Sequence, residues 1–109
     1  MKILISFHDI QKPAHPELDR LVDKLAKSHI ERHLSKFSPD AIELHVRLEK
    51  NPHLARYQVK LQLGMPSANL ESADESDEIM AALHKSFAEL ERQLERQLAH
   101  VRREEGKAP

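Results

Sequence analysis

Residues 42–63 read IELHVRLEKNPHLARYQVKLQL, and this stretch decides the fold. Apolar residues occupy every second position on both sides of the turn-like pair Asn51-Pro52. Such alternation is typical of strands that have one buried and one wet face. The alternating apolar residues are Ile42, Leu44, Val46 and Leu48 before the turn, and Tyr57, Val59, Leu61 and Leu63 after it. The stretch therefore predicts an antiparallel hairpin.

A strand and a helix are predicted before this hairpin. Residues 3–7 alternate in the manner of a short strand, and Pro16 stands where a first helical residue is favoured. The apolar residues that follow form two helical faces offset by roughly 120°. They are Leu18, Leu21, Val22 and Leu25 on one face, and Ile30, Leu34 and Phe37 on the other. Near Ser28-His29 we expect a kink, a bulge or a helix that rolls on its support, and we expect the helix to stop at Ser38-Pro39.

A weaker strand and a long helix are predicted after the hairpin. Residues 68–72 alternate weakly, and the chain then carries an amphipathic pattern with steps of three and four. Its apolar positions are Ile79, Leu83, Phe87, Leu90, Leu94, Leu98 and Val101. Five acidic residues lie at or before the start of this helix, where negative charge is favourable, so we interpret them as helix capping, with Asp74 or Ser76 as the cap. The five are Glu71, Asp74, Glu75, Asp77 and Glu78.

The resulting order, β-α-β-β-β-α, predicts a two-layer α+β domain in which one sheet face and two helices bury one another. With 109 residues, one domain is expected over residues 1–104, followed by a short tail at 105–109. The absence of Cys excludes a disulfide scaffold, a thiolate metal site and a cysteine nucleophile. No phosphate-binding loop or nucleophile motif occurs, so neither an enzyme nor a cofactor or small-molecule substrate is predicted. A cytoplasmic protein without a membrane segment is expected.

Four cations share the side of the last helix opposite its apolar stripe, and they form the basic row: Lys85, Arg92, Arg96 and Arg103. The net charge is −1. Without the acidic cluster, which is the five acidic residues before the last helix, the chain has 17 basic and 13 acidic residues. A line of long cations suits a phosphate backbone, since each contact releases counterions. The alternative is a solvated helix face with intrahelical ion pairs. Further cations stand on the first helix (Arg20, Lys24, Lys27) and on the wet face of the hairpin (Arg47, Arg56, Lys60).

His29 and His33 stand four residues apart and could share a metal ion. Their surroundings do not follow the H-E-x-x-H order, no third ligand is near in sequence, and Arg32 would oppose a cation. We therefore predict no metal site and interpret both as surface or partly buried histidines.

Four short motifs are informative together: Glu78-Ile79-Met80-Ala81-Ala82-Leu83, Glu89-Leu90-Glu91-Arg92-Gln93-Leu94 with Arg96, Lys24-Leu25-Ala26-Lys27, and Val46-Arg47-Leu48-Glu49-Lys50. With these motifs the chain resembles the ribosome hibernation promoting factor and ribosome-associated inhibitor A family, in its short form. The resemblance covers about residues 2–103.

The resemblance implies a fold like that of a double-stranded-RNA-binding domain, with a four-stranded sheet and both helices on one face. It implies binding to the small ribosomal subunit in the channel of messenger and transfer RNA, held by ribosomal RNA phosphates, and silencing of translation under stress or in stationary phase. The family's basic helix positions fall on Lys24, Lys27, Arg92 and Arg96, whereas the leading Lys of its signature is Glu89 here. Relative to the family, the first helix is expected to be about one turn longer, and the C-terminal ribosome-dimerising domain is not expected. The alternative is a diverged interaction module, either monomeric or homodimeric, that keeps the fold without binding the ribosome.

Overall fold

The computed structural model describes the backbone of residues 1–107 and the side chains of residues 1–101. The main elements follow the predicted order β-α-β-β-β-α. They are β1 (Lys2–His8), α1 (His15–His29), β2 (Glu43–Lys50), β3 (Tyr57–Met65), β4 (Ala68–Ser76) and α2 (Ile79–Lys107). Single turns of 3-10 helix lie in the connections at Lys12–Ala14, Glu31–His33 and Pro39–Ala41. The helix α2 thus continues past residue 104, where the domain boundary was predicted.

The strands form one mixed sheet in the order β1-β2-β3-β4. The β2–β3 hairpin is antiparallel and places its apolar residues in register, for example Val46 opposite Leu61. The same antiparallel pairing joins β3 to β4. β1 pairs parallel with β2, from Lys2 opposite Glu43 to His8 opposite Glu49. A parallel pair requires a crossover connection, and the segment that contains α1 supplies it.

Both helices cover the apolar face of this sheet, which confirms the two-layer α+β prediction. The largest fully buried side chains come from the sheet face and from both helices, and include Leu44, Leu61, Val22, Phe87 and Leu90. α2 lies mainly against β3 and β4, with α1 beside it. The other face of the sheet is open to solvent and carries exposed polar residues such as Arg47 and Lys60. The helices and the open sheet face are therefore opposite sides of one small domain.

The prediction that the first helix stops at Ser38-Pro39 was wrong, because α1 ends at His29. Two apolar stripes about 120° apart cannot both face one sheet from a straight helix. The chain instead turns at Ile30 into the 3-10 turn Glu31–His33, and Ile30 and Leu34 enter the core from there. The jump in phase between the two apolar stripes therefore marks the end of α1.

The acidic cluster was also interpreted wrongly for three of its members. Glu71, Asp74 and Glu75 belong to β4, which runs to Ser76. Capping falls to Ser76, whose Oγ accepts a 3.2 Å hydrogen bond from the backbone N–H of Glu78. Asp74 contacts α2 differently, since its Oδ2 accepts a hydrogen bond from the Ser86 hydroxyl at 3.4 Å. The strand predicted at residues 68–72 thus continues for four more residues, and this extension was missed because its polar residues suggested a helix start.

Candidate RNA-binding surface

The outer side of α2 presents two arginines in adjacent turns. Leu90 and Leu94 bury the inner side of the helix, and the 3.6-residue period turns Arg92 and Arg96 away from them. The side chains of Arg92 and Arg96 are 67% and 75% exposed. The predicted exposure of these two members of the basic row is therefore observed.

Glu89 lies between these two arginines and pairs with both. Its Oε2 is 2.5 Å from Arg92 Nη2, and its Oε1 is 4.0 Å from Arg96 Nη2. The three side chains together carry a net charge of +1. Exposed ion pairs of this kind contribute no more than about 1 kcal/mol, because water screens them. A phosphate group can therefore compete with Glu89 for either guanidinium.

The remaining members of the predicted RNA-binding set are spread out. Lys85 is exposed about two turns before Arg92, and Lys24 and Lys27 are exposed on α1. Lys27 Nζ is held 3.1 Å from Asp23 Oδ2 within its own helix. Within the described residues, neither Lys24 nor Lys85 has an acidic group within 4.0 Å. The side chain of Arg103 lies outside the described residues.

The hairpin cations do not join this surface. Arg47 and Lys60 lie opposite each other on the open sheet face, away from both helices. Arg56, which precedes β3, is 3.8 Å from Glu75 of β4 on that same side. The cations of the hairpin and those of the helices thus lie on two sides of the domain.

A second charged cluster, which sequence reasoning missed, joins the end of α1 to α2. Glu91 is only 13% exposed, and it accepts hydrogen bonds from His29 Nδ1 at 2.8 Å, His33 Nε2 at 2.7 Å and Arg32 Nη2 at 2.6 Å. Burial by itself raises the pKa of Glu91, but the hydrogen bonds from His33, Arg32 and His29 outweigh it and lower the pKa to about 2. The spacing of His29 and His33 was the one visible signal, and its acidic partner stands about 60 residues away.

No helix among the described residues is both long enough and apolar enough to cross a membrane.

Comparison with known proteins identifies relatives of this fold. Residues 5–102 match the family model described as sigma 54 modulation protein / S30EA ribosomal protein. No curated protein sequence matches the chain. Among solved structures, a ribosomal subunit interface protein from Coxiella burnetii is similar with a TM-score of 0.66 and 22% identity, covering 91% of this chain and 99% of that one. The N-terminal domain of Thermus thermophilus Protein Y is similar with a TM-score of 0.59 and 15% identity, covering 88% and 98%.

Proposed function

Because the chain belongs to the sigma 54 modulation / S30EA ribosomal protein family of ribosome-associated proteins, we propose that it binds the small ribosomal subunit and silences translation under stress or in stationary phase. Its site would be the channel of messenger and transfer RNA, and its mechanism occlusion by a small rigid domain in the cytoplasm. No catalytic step is involved. The observation that carries the proposal is the exposed pair Arg92 and Arg96 on the outer side of α2.

The pair has the geometry that phosphate binding needs. The two guanidinium groups are one helical turn apart, and each offers a planar set of N–H donors that matches phosphate oxygens. Their counterion is a surface carboxylate, which a phosphate can displace at small cost. Lys24, Lys27, Lys85 and Arg103 would add further phosphate contacts. Because phosphate contacts release counterions, binding should weaken steeply with salt.

The test is co-sedimentation of the full chain with purified small subunits across a salt series. Replacing both arginines by glutamine (Arg92→Gln with Arg96→Gln) should weaken binding and lower the slope of log K against log salt by about 2, since each lost phosphate contact lowers it by about 1. The matched control is Arg47→Gln with Lys60→Gln, which removes two exposed cations from the open sheet face and should leave binding unchanged. Binding that is insensitive to salt, or equal loss in the control, would count against the proposal.

A second candidate is an interaction module, either monomeric or homodimeric, that keeps the fold without the ribosome. The contact of Glu89 with both arginines favours it, because this carboxylate replaces the Lys expected from the family signature. Light scattering of the purified chain separates the two candidates. A stable dimer that does not sediment with small subunits would support the module.

A further inference from the structure

Three side chains that can bind a metal ion lie close together beside the interface between the helices. One comes from the 3-10 turn after α1 and two come from α2. One donor atom each of His33, Glu91 and Glu95 lies within 4.8 Å of the other two. His33 Nε2 is 2.7 Å from Glu91 Oε2 and 3.8 Å from Glu95 Oε1. Glu91 and Glu95 are four residues apart on α2, so their carboxylates leave the same side of that helix. We propose that these three side chains bind one zinc ion, which ties the turn after α1 to α2.

The distances suit zinc after small side-chain rotations. Zn–N and Zn–O bonds of about 2.0–2.2 Å at tetrahedral angles place neighbouring ligand atoms about 3.3 Å apart. The distance from His33 to Glu91, 2.7 Å, is shorter than that separation, and the distance from His33 to Glu95, 3.8 Å, is longer. Glu95 has a half-exposed side chain that is free to rotate inward. A fourth position would be left for water.

The neighbouring groups orient the ligands as a metal site requires. His29 Nδ1 donates its hydrogen to Glu91 Oε1, which fixes the carboxylate and leaves Oε2 for the ion. In the metal-free chain His33 donates the hydrogen on Nε2 to Glu91, so zinc binding at Nε2 requires the other neutral tautomer, with the hydrogen on Nδ1. This change moves the hydrogen within the ring without a net loss of a proton. One imidazole with two carboxylates favours zinc over calcium or magnesium, which prefer ligand sets made only of oxygen.

Arg32 would compete with the zinc ion for the Glu91 carboxylate. Its Nη2 lies 2.6 Å from Glu91 Oε2, the oxygen that zinc would take. The Arg32 side chain is 62% exposed and can turn into solvent when the ion arrives. The two carboxylates then balance the charge of Zn²⁺ in place of the guanidinium. Sequence reasoning found no third ligand and counted Arg32 against a metal, whereas the fold brings Glu91 and Glu95 from α2.

The experiment is calorimetric titration of the untagged full chain, stripped with EDTA, with Zn²⁺ at neutral pH. One ion per chain should bind. Glu95→Gln and His33→Ala should each weaken binding at least about tenfold, whereas Arg32→Gln should tighten it. The matched control is His45→Ala, because His45 forms a similar 2.9 Å contact with Glu43 on an exposed strand. This control should bind zinc like the unchanged chain.

Cobalt serves as a second probe of the same site. Bound Co²⁺ should give visible absorption bands that Glu95→Gln alters and His45→Ala does not. Glu95 is exposed and its contact with His33 is as long as 3.8 Å, so this variant should keep the melting temperature of the parent in EDTA. The proposed site would be overturned if the unchanged chain bound no zinc at one equivalent. It would also be overturned if His45→Ala lost as much zinc affinity as Glu95→Gln, or if Arg32→Gln bound zinc more weakly than the unchanged chain. None of these outcomes depends on ribosome binding.

Discussion

Ser72 of β4 donates its hydroxyl hydrogen to the backbone carbonyl oxygen of Ser86 on α2, across 2.9 Å and inside the core. Further along the helix, the Gln93 side-chain amide donates a 2.7 Å hydrogen bond to the backbone carbonyl of Glu71. Both contacts join α2 to the outermost strand of the sheet. They fix the rotation of the helix about its axis, and with it the direction in which Arg92 and Arg96 point.

Ser72→Ala should lower the free energy of unfolding by about 1 kcal/mol, the usual net contribution of one hydrogen bond. Urea denaturation followed by circular dichroism measures it. The control is Ser67→Ala in the exposed β3–β4 turn, which should change the free energy by less than about 0.5 kcal/mol. Equal effects of the two substitutions would show that the buried hydroxyl adds nothing to stability.

Glu89→Gln should raise the affinity for small subunits and steepen its dependence on salt. The substitution removes the carboxylate that contacts Arg92 and Arg96, so both guanidinium groups become available to phosphate. Co-sedimentation at two salt concentrations measures the change. Glu49→Gln is the control, since it frees Arg47 on the open sheet face, where no gain is expected. Unchanged affinity in Glu89→Gln would argue against phosphate contacts at this pair.

Phe87→Ala should destabilise the domain by about 3–5 kcal/mol, because it leaves a cavity between α2 and the sheet. The Phe87 side chain is fully buried in the core cluster. Leu54→Ala is the matched control: Leu54 is 58% exposed in the β2–β3 turn, and its loss should cost less than about 0.5 kcal/mol. Thermal unfolding of both variants checks the difference, and a Phe87→Ala protein as stable as the control would contradict the described packing.

Glu91→Gln should destabilise the metal-free chain by about 1–3 kcal/mol at neutral pH, because it removes the charged acceptor of three side chains. The pKa of Glu91 is lowered in the folded state to about 2, from an ordinary value of 4.5. Its contribution is therefore fully present above pH 4.5 and is lost as the pH falls towards 2. The difference in unfolding free energy between the two proteins, measured in EDTA, should shrink over that window. A difference that stays constant down to pH 2 would refute the role given to this carboxylate.

The sequence predicted best those features that depend on residues close along the chain. The alternation around Asn51-Pro52 placed β2 and β3 within one or two residues of their observed bounds. The helical periodicity likewise predicted that Arg92 and Arg96 point away from the core, as they do. At Ile30 it failed, since spacings of three and four fit both a continued helix and a 3-10 turn that enters the core.

Contacts between distant segments could not be predicted. His29 and Glu91 are 62 residues apart, and only the packing of α1 beside α2 brings them to 2.8 Å. The sequence alone does not show that the cations of the hairpin and those of the first helix lie on different sides of the domain. In the structure, the sheet separates them. Charge counting without the fold therefore overestimates the size of a single basic surface.

The parallel pairing of β1 with β2 has a consequence for biosynthesis. β1 is made before α1, yet its hydrogen-bonding partner lies beyond α1, at residues 43–50. A nascent chain therefore holds Ile3, Ile5 and Phe7 without a sheet to cover them until that later segment has emerged. Late pairing of distant strands slows folding and leaves an early strand open to chaperones or to aggregation.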